Sequence, residues 1–202
     1  HVVSTTACDL PPSERDGDGG QYEPLNARPT LPRVVAIGDL HGDLGKARAA
    51  LRLAGAIDET DSWTGGDLVV VQTGDVVDRG PYDREILDLL ERLSQEAAEV
   101  GGAVRRVLGN HEYGNAKGSM GYVPLRGFWS FFDMWDSYVN DPALAAYADY
   151  QRPRRGAFRP GGPYAQLISR NDLVLNLDGT VYVHGSLLPS HAMYGIERMN
   201  QE

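Results

Sequence analysis

The chain has a single cysteine, Cys8, among its 202 residues, so no disulfide can form within it. It also lacks any apolar run long enough to cross a bilayer. Positive charge is scarce, because 19 lysines and arginines stand against 28 acidic residues and the formal net charge is −9. This balance disfavours broad nucleic-acid binding, which depends on contacts to phosphate. We therefore expect no nucleic-acid partner and no transmembrane segment, and an anionic substrate would need a local positive centre.

With 42% hydrophobic and 23% charged residues, the chain has the composition of one globular domain with a sizeable core. The first 30 residues include "PPSERDGDGG" and predict a flexible arm over 1–30, so the folded domain is expected over 33–202. The stretch "STTACDL" around Cys8 is weakly similar to the end of a lipoprotein signal. A tail cysteine without a role is the favoured interpretation. The localisation stays open, and the lipoprotein similarity inclines it toward a bacterial cell envelope or periplasm over the cytoplasm.

Beyond residue 33, short β-branched runs alternate with segments of helical periodicity. The runs "RVVAI", "DLVVVQT" and "AVRRVL" predict three buried strands. The segments "DLGKARAALRLAG" and "DREILDLLERLSQEAAEV" predict the helices between them. This alternation predicts an α/β fold with a largely parallel sheet.

The second half of the chain has a different pattern. Residues 113–170 include the aromatic stretch "FWSFFDMWDSYV" and predict a helical insert beside the sheet, with most of its aromatics in the core. The following segment, "LVLNLDGTVYVHG", has two strand-like runs joined by Asp178-Gly179. It predicts a hairpin that opens a second sheet.

Each of the three predicted strands ends in a polar cluster: "GDLHG" at 38–42, "GDVVDRG" at 74–80 and "GNHE" at 109–112. Asp39 and Asp75 are 36 residues apart, and Asp75 and Asn110 are 35 apart, which is about one strand–helix unit. Because open α/β sheets bind ligands at the carboxyl ends of their strands, we expect the clusters to meet at that edge. The side chains expected there are Asp39, His41, Asp75, Asp78, Asn110 and His111.

Crowded carboxylates repel one another unless cations neutralise them. Asp, His and Asn side chains together suit a metal such as manganese, iron or zinc. Asp75 can bridge two ions, with Asp39 and His41 on one side and Asn110 on the other, and two such ions are a common device for phosphoester hydrolysis. Taken singly, each cluster is also explained by capping or turn formation, and it is their joint occurrence that favours a metal site.

At these motifs the sequence resembles the phosphoprotein phosphatase branch of the calcineurin-like metallophosphoesterases, and within it the Shewanella-like protein phosphatases. The resemblance covers residues 33–202 and is carried by "GDLHGDLGKARAALRLAG", "GGDLVVVQTGDVVDRG", "GNHEYGNAKG" and "VHGSLLPSHAMYGIERMN". It implies a β-sandwich flanked by helices (αββα), with the C-terminal part of the second sheet missing. It also implies two divalent metal ions (Mn, Fe or Zn) and a phosphorylated protein or peptide as substrate.

The resemblance implies two sets of metal ligands that share one aspartate. Asp39, His41 and Asp75 would bind the first metal. Asp75, Asn110 and His184, the last of these from "VHGS", would bind the second.

The resemblance also implies a catalytic set. His111 would protonate the leaving oxygen and would be oriented by Asp78. Arg79 would hold the phosphate through its planar guanidinium. Glu112 is expected to support its loop and not to touch the substrate.

Other polar residues are expected to have ordinary roles. His191 is interpreted as a surface or structural residue. Lys117 and the run "RPRRGAFRPGG" are either charges that face the substrate or parts of a solvated loop, and the solvated loop is the favoured interpretation.

The chain departs from the family pattern at two places. Ser186 stands where the family usually has glycine, which should do little damage. A downstream metal-binding histidine and a phosphate-binding arginine of the family have no counterpart in this sequence, which ends at Glu202. If these 202 residues were the whole protein, we would expect an incomplete second metal site, an incomplete second sheet and an impaired activity; the alternative is that the sequence is a fragment of a longer chain.

The expected function is metal-dependent hydrolysis of phosphomonoesters on phosphoproteins, by attack of a hydroxide bound to two metals. Sequence does not separate phosphoserine or phosphothreonine from phosphotyrosine as the target, and it leaves the oligomeric state open. One alternative is a hydrolase of dinucleoside polyphosphates or other small molecules on the same scaffold. The other is a non-catalytic protein that binds phosphorylated partners.

Overall fold

The fold is built around a four-stranded sheet, seen in a computed structural model that describes residues 2–5 and 32–201. The strands follow one another in chain order: β1 (Val2–Thr5), β2 (Val34–Ile37), β3 (Val69–Gln72) and β4 (Ala103–Arg106). β2, β3 and β4 are parallel, and β1 is antiparallel to β2. The predicted parallel arrangement of the three buried strands is confirmed.

The predicted arm over residues 1–30 contains the edge strand β1. Its backbone pairs with β2 from Val2 opposite Ile37 to Thr5 opposite Val34. Pairing with a sheet edge orders a segment that has too little apolar side chain to form a core of its own. The rest of the arm, with Cys8 and its lipoprotein hint, lies outside the described residues, and the division of the chain at residue 33 stays a prediction.

Two helices cover one face of this sheet. α1 (Leu44–Leu53) starts at Asp43, whose side chain accepts a hydrogen bond from the Lys46 amide at 3.0 Å. α2 (Asp83–Glu99) is amphipathic and ends before the glycine pair 101–102. Both helices lie where the sequence predicts them. The buried apolar face of α2 consists of Ile86, Leu87, Leu89, Leu90, Leu93 and Ala97.

Short helices fill residues 110–168, as the sequence predicts for most of this region. They are α3 (Asn110–Ala116), α4 (Leu125–Trp129), α5 (Trp135–Tyr138), α6 (Arg152–Phe158) and α7 (Pro163–Ile168), with 3₁₀ turns at Phe132–Met134, Pro142–Leu144 and Asp149–Gln151.

The insert has an aromatic core of its own. The rings of Phe131, Phe158 and Tyr164 are buried, and their centroids lie 5.1 to 5.7 Å apart. The prediction that the aromatics are core residues is confirmed for these three. It is wrong for Trp129 and Phe132, which are about half exposed because the short helices bury only one face.

A second sheet packs against the other face of the first. It contains β5 (Val174–Leu177) and β6 (Thr180–Val183), joined as predicted by a tight turn in which Asp178 and Gly179 have positive φ. Val71, Val107 and Leu175 are buried between the two sheets.

Two short helices end the described chain, α8 (Pro189–Tyr194) and α9 (Ile196–Gln201). Within residues 2–5 and 32–201, no helix is both long enough and apolar enough to span a membrane.

The packing of α2 can be tested at Leu90, which is 1% exposed. We expect Leu90→Ala to lower the free energy of unfolding by about 2–5 kcal/mol, because it leaves a cavity in a dense core. Leu53→Ala is the matched control, since Leu53 is 76% exposed on α1, and it should change this free energy by less than about 0.5 kcal/mol. Urea unfolding followed by circular dichroism measures both, and equal losses would contradict the packing described.

Candidate metal centre

The loops that follow β2 and β3 are held together by backbone hydrogen bonds. The amides of Leu40 and His41 both donate to the Asp75 carbonyl, at 2.9 and 3.0 Å, and the Gly42 amide donates to the Val76 carbonyl at 2.7 Å. His41 and Asp75 have φ values of +44° and +57°, a region that residues other than glycine rarely occupy. These strained turns persist because the surrounding hydrogen bonds fix them.

Glu112, in the first turn of α3, ties the third loop to the second. Its carboxylate accepts hydrogen bonds from the amides of Asp75, Val76 and Val77 at 2.9, 2.8 and 3.1 Å, and from the Gly109 amide at 2.9 Å. Burial raises the pKa of the Glu112 carboxyl above its ordinary value, and the backbone N–H donors act in the opposite direction. The prediction that Glu112 supports its loop is confirmed.

Two groups of possible metal ligands share Asp75 at this edge of the sheet. Ligand atoms of His41, Asp75 and His111 lie within 4.8 Å of one another, and so do those of Asp39, Asp75 and His184. Asp75 is buried, whereas Asp39 is exposed. The structure therefore brings these five predicted residues together. The roles of Asp39, His41, Asp75 and His184 as metal ligands and of His111 as a proton donor stay predictions.

The His41 imidazole shows that this donor set fits a cation. Its Nδ1 lies 2.9 Å from the Val77 carbonyl oxygen. Because a carbonyl can only accept, Nδ1 carries a proton, and in the neutral form of the ring the lone pair is therefore at Nε2. Among the described residues, Nε2 is buried without a hydrogen-bond partner, and it lies 3.6 Å from Asp39 Oδ2 and 3.8 Å from Asp75 Oδ2. A lone pair that faces two carboxylates suits a divalent metal between them.

His184, at the end of β6, repeats this arrangement on the other side of Asp75. Its Nδ1 lies 2.9 Å from the Thr73 carbonyl oxygen, so Nδ1 is the donor here as well. Its Nε2 is 2.9 Å from Asn110 Oδ1 and 3.2 Å from Asp75 Oδ2. One nitrogen and two oxygens from three residues thus converge, and this ligand set again fits a cation.

His111 is oriented by a carboxylate instead of a carbonyl. Its Nδ1 donates to Asp78 Oδ2 at 2.7 Å, and both side chains are buried. Its Nε2 lies 3.8 Å from Asp75 Oδ2, on the side of the possible metal ligands. The predicted pairing of His111 with Asp78 is present in the structure.

Sequence reasoning missed two residues behind Asp78. Asn115 donates from Nδ2 to Asp78 Oδ1 at 2.9 Å, and the guanidinium of Arg154 lies 3.4 Å from the same oxygen. The interpretation of "RPRRGAFRPGG" as a solvated loop is wrong at Arg154, because this part of the run forms α6 and Arg154 is 0% exposed. The only sequence signal for Arg154 was its position in a long basic run, and such a run predicts side chains in water.

Arg79 lies beside the cluster with its side chain exposed. Its backbone amide donates to the Tyr122 carbonyl at 2.9 Å, and its φ of +68° turns it outward. In the part of the chain that the structure describes, its guanidinium has no ion-pair or hydrogen-bond partner. It lines an open cavity of about 430 Å³ together with Asp39, His41, Lys46 and Tyr82.

The remaining polar residues singled out in the sequence lie away from this cavity's floor. Lys117 is exposed, and its ammonium lies 5.1 Å from the centre of the Tyr113 ring. His191 is exposed on α8 and accepts a hydrogen bond from the Leu188 amide at 3.3 Å, as expected for a surface or structural residue. Ser186 is also exposed.

Similarity to known proteins supports the same interpretation of the site as its geometry does. A family model described as calcineurin-like phosphoesterase matches residues 32–197. The chain is 40% identical over 209 residues to Shewanella-like protein phosphatase 2 of Arabidopsis thaliana, covering 90% of this chain and 54% of that protein. It is 32% identical over 155 residues to Shewanella-like protein phosphatase 1 of Plasmodium berghei, covering 77% of this chain and 39% of that protein.

Among solved structures, the chain is similar to the cold-active protein-tyrosine phosphatase of a psychrophilic Shewanella species. The TM-score is 0.67 at 25% identity, and the match covers 83% of this chain and 46% of that one. The predicted fold class and the predicted resemblance are thereby confirmed. The chain spans about half the length of the Arabidopsis relative and less than half of the Plasmodium relative.

The Glu112 contacts can be tested by Glu112→Gln. In the unmodified protein, four backbone N–H groups donate to the Glu112 carboxylate. In the variant, the NH₂ of the glutamine amide replaces one acceptor oxygen and faces some of these donors. We therefore expect a loss of about 2–4 kcal/mol in the free energy of unfolding. The control is Glu99→Gln at the exposed end of α2, which should change that free energy by less than about 0.5 kcal/mol. Urea unfolding in the presence of a chelator measures both, and a Glu112→Gln variant as stable as the control would refute this account of the loops.

Proposed function

Because the chain belongs to the calcineurin-like phosphoesterase family, we propose that it is a metal-dependent phosphatase that hydrolyses phosphomonoesters of phosphorylated proteins or peptides. One observation carries the proposal: ligand atoms of Asp39, His41 and His184 surround the buried Asp75, next to a His111 that is paired with Asp78. This arrangement supports charge stabilisation by bound cations and proton transfer by a nearby histidine.

The proposed ligands of the first metal are Asp39, His41 and Asp75, and those of the second are Asp75, Asn110 and His184. The Nε2 atoms of His41 and His184, which face carboxylate oxygens on the two sides of Asp75, support this division. Members of this family generally use divalent metals, and we propose manganese, iron or zinc here because the ligands mix oxygen and imidazole. When bound, the two cations polarise the phosphoryl oxygens and make a water a stronger nucleophile at neutral pH.

The protein's own residues do the rest. His111 holds a proton at Nε2 and passes it to the oxygen of the leaving alcohol or phenol, while Nδ1 stays bonded to Asp78. Arg79 binds the phosphoryl group with its planar guanidinium, which is unpaired within the described part of the chain and lies at the cavity wall. This positive group supplies the local attraction that an acidic protein needs for an anionic substrate.

A phosphorylated protein or peptide is the proposed substrate because the relatives from Arabidopsis and Plasmodium are named protein phosphatases and the similar Shewanella structure is titled a protein-tyrosine phosphatase. The test is turnover by the purified protein of phosphotyrosine, phosphoserine and phosphothreonine peptides and of dinucleoside polyphosphates. Peptide turnover that a chelator abolishes supports the proposal. Turnover of dinucleoside polyphosphates alone would overturn it.

The shared ligand can be tested by Asp75→Asn. We expect turnover to fall by at least about 100-fold and bound metal to fall with it, because the amide removes the bridging negative charge. Metal content by mass spectrometry and phosphatase rate are measured on the same sample. Asp136→Asn, on the exposed surface of α5, is the control and should change neither. Full activity in Asp75→Asn would contradict the proposed centre.

The proton carrier can be tested by His111→Gln. We expect turnover to fall by about 10²–10⁴-fold while the metal content stays as in the unmodified protein, because the residue acts on the leaving oxygen. His191→Gln is the control, since that histidine lies on the exposed helix α8. Loss of metal in parallel with turnover would instead make His111 a metal ligand, which its 3.8 Å distance to Asp75 allows.

A further inference from the structure

We propose that Arg154 is a positioning residue for the His111–Asp78 pair, and that it couples the helical insert to proton transfer. This inference rests on the proposed phosphatase function. It comes from a guanidinium that is buried deep in the insert and yet reaches the carboxylate that orients His111.

The Arg154 guanidinium is held on every side. Its Nε and Nη2 donate to Asn115 Oδ1 at 3.2 and 2.9 Å, and Nη1 donates to the Gly127 carbonyl at 3.1 Å. Its plane lies against the rings of Phe131 and Phe158, with 5.3 and 5.0 Å between the guanidinium carbon and the ring centres. A charge that is 0% exposed and fixed in this way has little freedom to move.

Arg154 also contacts two buried carboxylates, those of Asp78 and Asp83. Nη1 lies 2.7 Å from Asp83 Oδ2, and Nη2 lies 3.4 Å from Asp78 Oδ1. The Asp83 carboxylate in turn accepts a hydrogen bond from the Asp78 backbone amide at 3.1 Å. Arg154 therefore fixes Asp78 at its side chain directly and at its backbone through Asp83.

This double contact matters because Asp78 sits in a strained backbone conformation, with a φ of +72°. Of its two carboxylate oxygens, Oδ1 faces Arg154 and Asn115, which leaves Oδ2 for His111 Nδ1 at 2.7 Å. Burial raises the pKa of Asp83, and the Arg154 charge opposes that rise. The arginine thus supports Asp83 in the form that accepts the hydrogen bond of the Asp78 amide.

A purely structural role for Arg154 predicts something different from a positioning role. If the arginine only stabilises the fold, its loss lowers the rate for all substrates to the same extent. If it positions His111 as a proton donor, its loss lowers the rate mainly for substrates whose leaving group needs that proton. Phenyl phosphate and p-nitrophenyl phosphate form a matched pair, because they differ chiefly in how readily the leaving oxygen departs without a proton.

The variant for this test is Arg154→Met combined with Asp83→Asn. Arg154→Met alone leaves two buried carboxylates without their cation, whereas the pair of changes removes one positive and one negative charge together and favours folding. The amide introduced by Asp83→Asn keeps an oxygen that can accept from the Asp78 backbone N–H. Asp83→Asn alone and Arg155→Ala are the controls, since Arg155 lies on the same helix but donates to the Gly118 carbonyl at 2.9 Å, away from Asp78.

We expect the double variant, with its metal content and circular dichroism unchanged, to lose about 10–100-fold in kcat with phenyl phosphate and less than about 3-fold with p-nitrophenyl phosphate. The downfield proton resonance of the His111–Asp78 hydrogen bond should shift or broaden in the double variant and stay in place in Arg155→Ala. Asp83→Asn alone measures the part of the change that comes from Asp83. Arg154→Lys, which keeps the charge but not the planar fork, should lie between the double variant and the unmodified protein.

An equal loss with both substrates would overturn the positioning role and leave the phosphatase proposal intact. The same holds if Arg154→Lys and the double variant both leave the ratio of the two rates unchanged. If the unmodified, metal-loaded protein hydrolyses neither ester nor any phosphopeptide, the proposed function fails, and the positioning role fails with it.

Discussion

The geometry of the site depends on one carboxylate that serves as acceptor for two loops. Glu112 gathers the amides of Asp75, Val76 and Val77 and that of Gly109, and thereby fixes the loop after β3 against the loop after β4. These backbone groups are buried and would otherwise lack partners, so each hydrogen bond removes a penalty as well as adding an attraction. The loop after β2 then follows, because its amides donate to carbonyls of the same segment.

Negative charge is compensated in two different ways on the two sides of His111. On the interior side, the buried carboxylates of Asp78 and Asp83 have a fixed counter-charge in Arg154. On the open side, Asp75 Oδ2 faces the Nε2 atoms of His41 and His184, and among the described residues it has no buried arginine or lysine within ion-pair distance. Carboxylates that converge without a buried counter-charge suit divalent cations, and this is the electrostatic basis of the proposed metal centre.

Much of the fold and of the site could be predicted from local pattern. The β-branched runs that become β2, β3 and β4, the helix faces between them and the Asp178-Gly179 turn all carry signals within a few residues. The polar clusters after each strand identify the site because parallel strands share one edge. Arg154 escaped prediction, since a basic run ordinarily stays in water and nothing local reveals a carboxylate that lies 76 residues away in sequence.

By itself, then, the sequence determined β2 to β6, the helices α1 and α2, the loop tips and the chemical nature of the groups at those tips, because each of these depends on neighbouring residues. The tertiary structure alone decided which imidazole nitrogen faces Asp75, which oxygen of Asp78 is left for His111 and which arginine is buried behind it. Those outcomes depend on contacts between segments that are distant in sequence. A buried polar or charged group needs a hydrogen-bond partner or a counter-charge, and the residues next to it in sequence do not reveal which partner it finds.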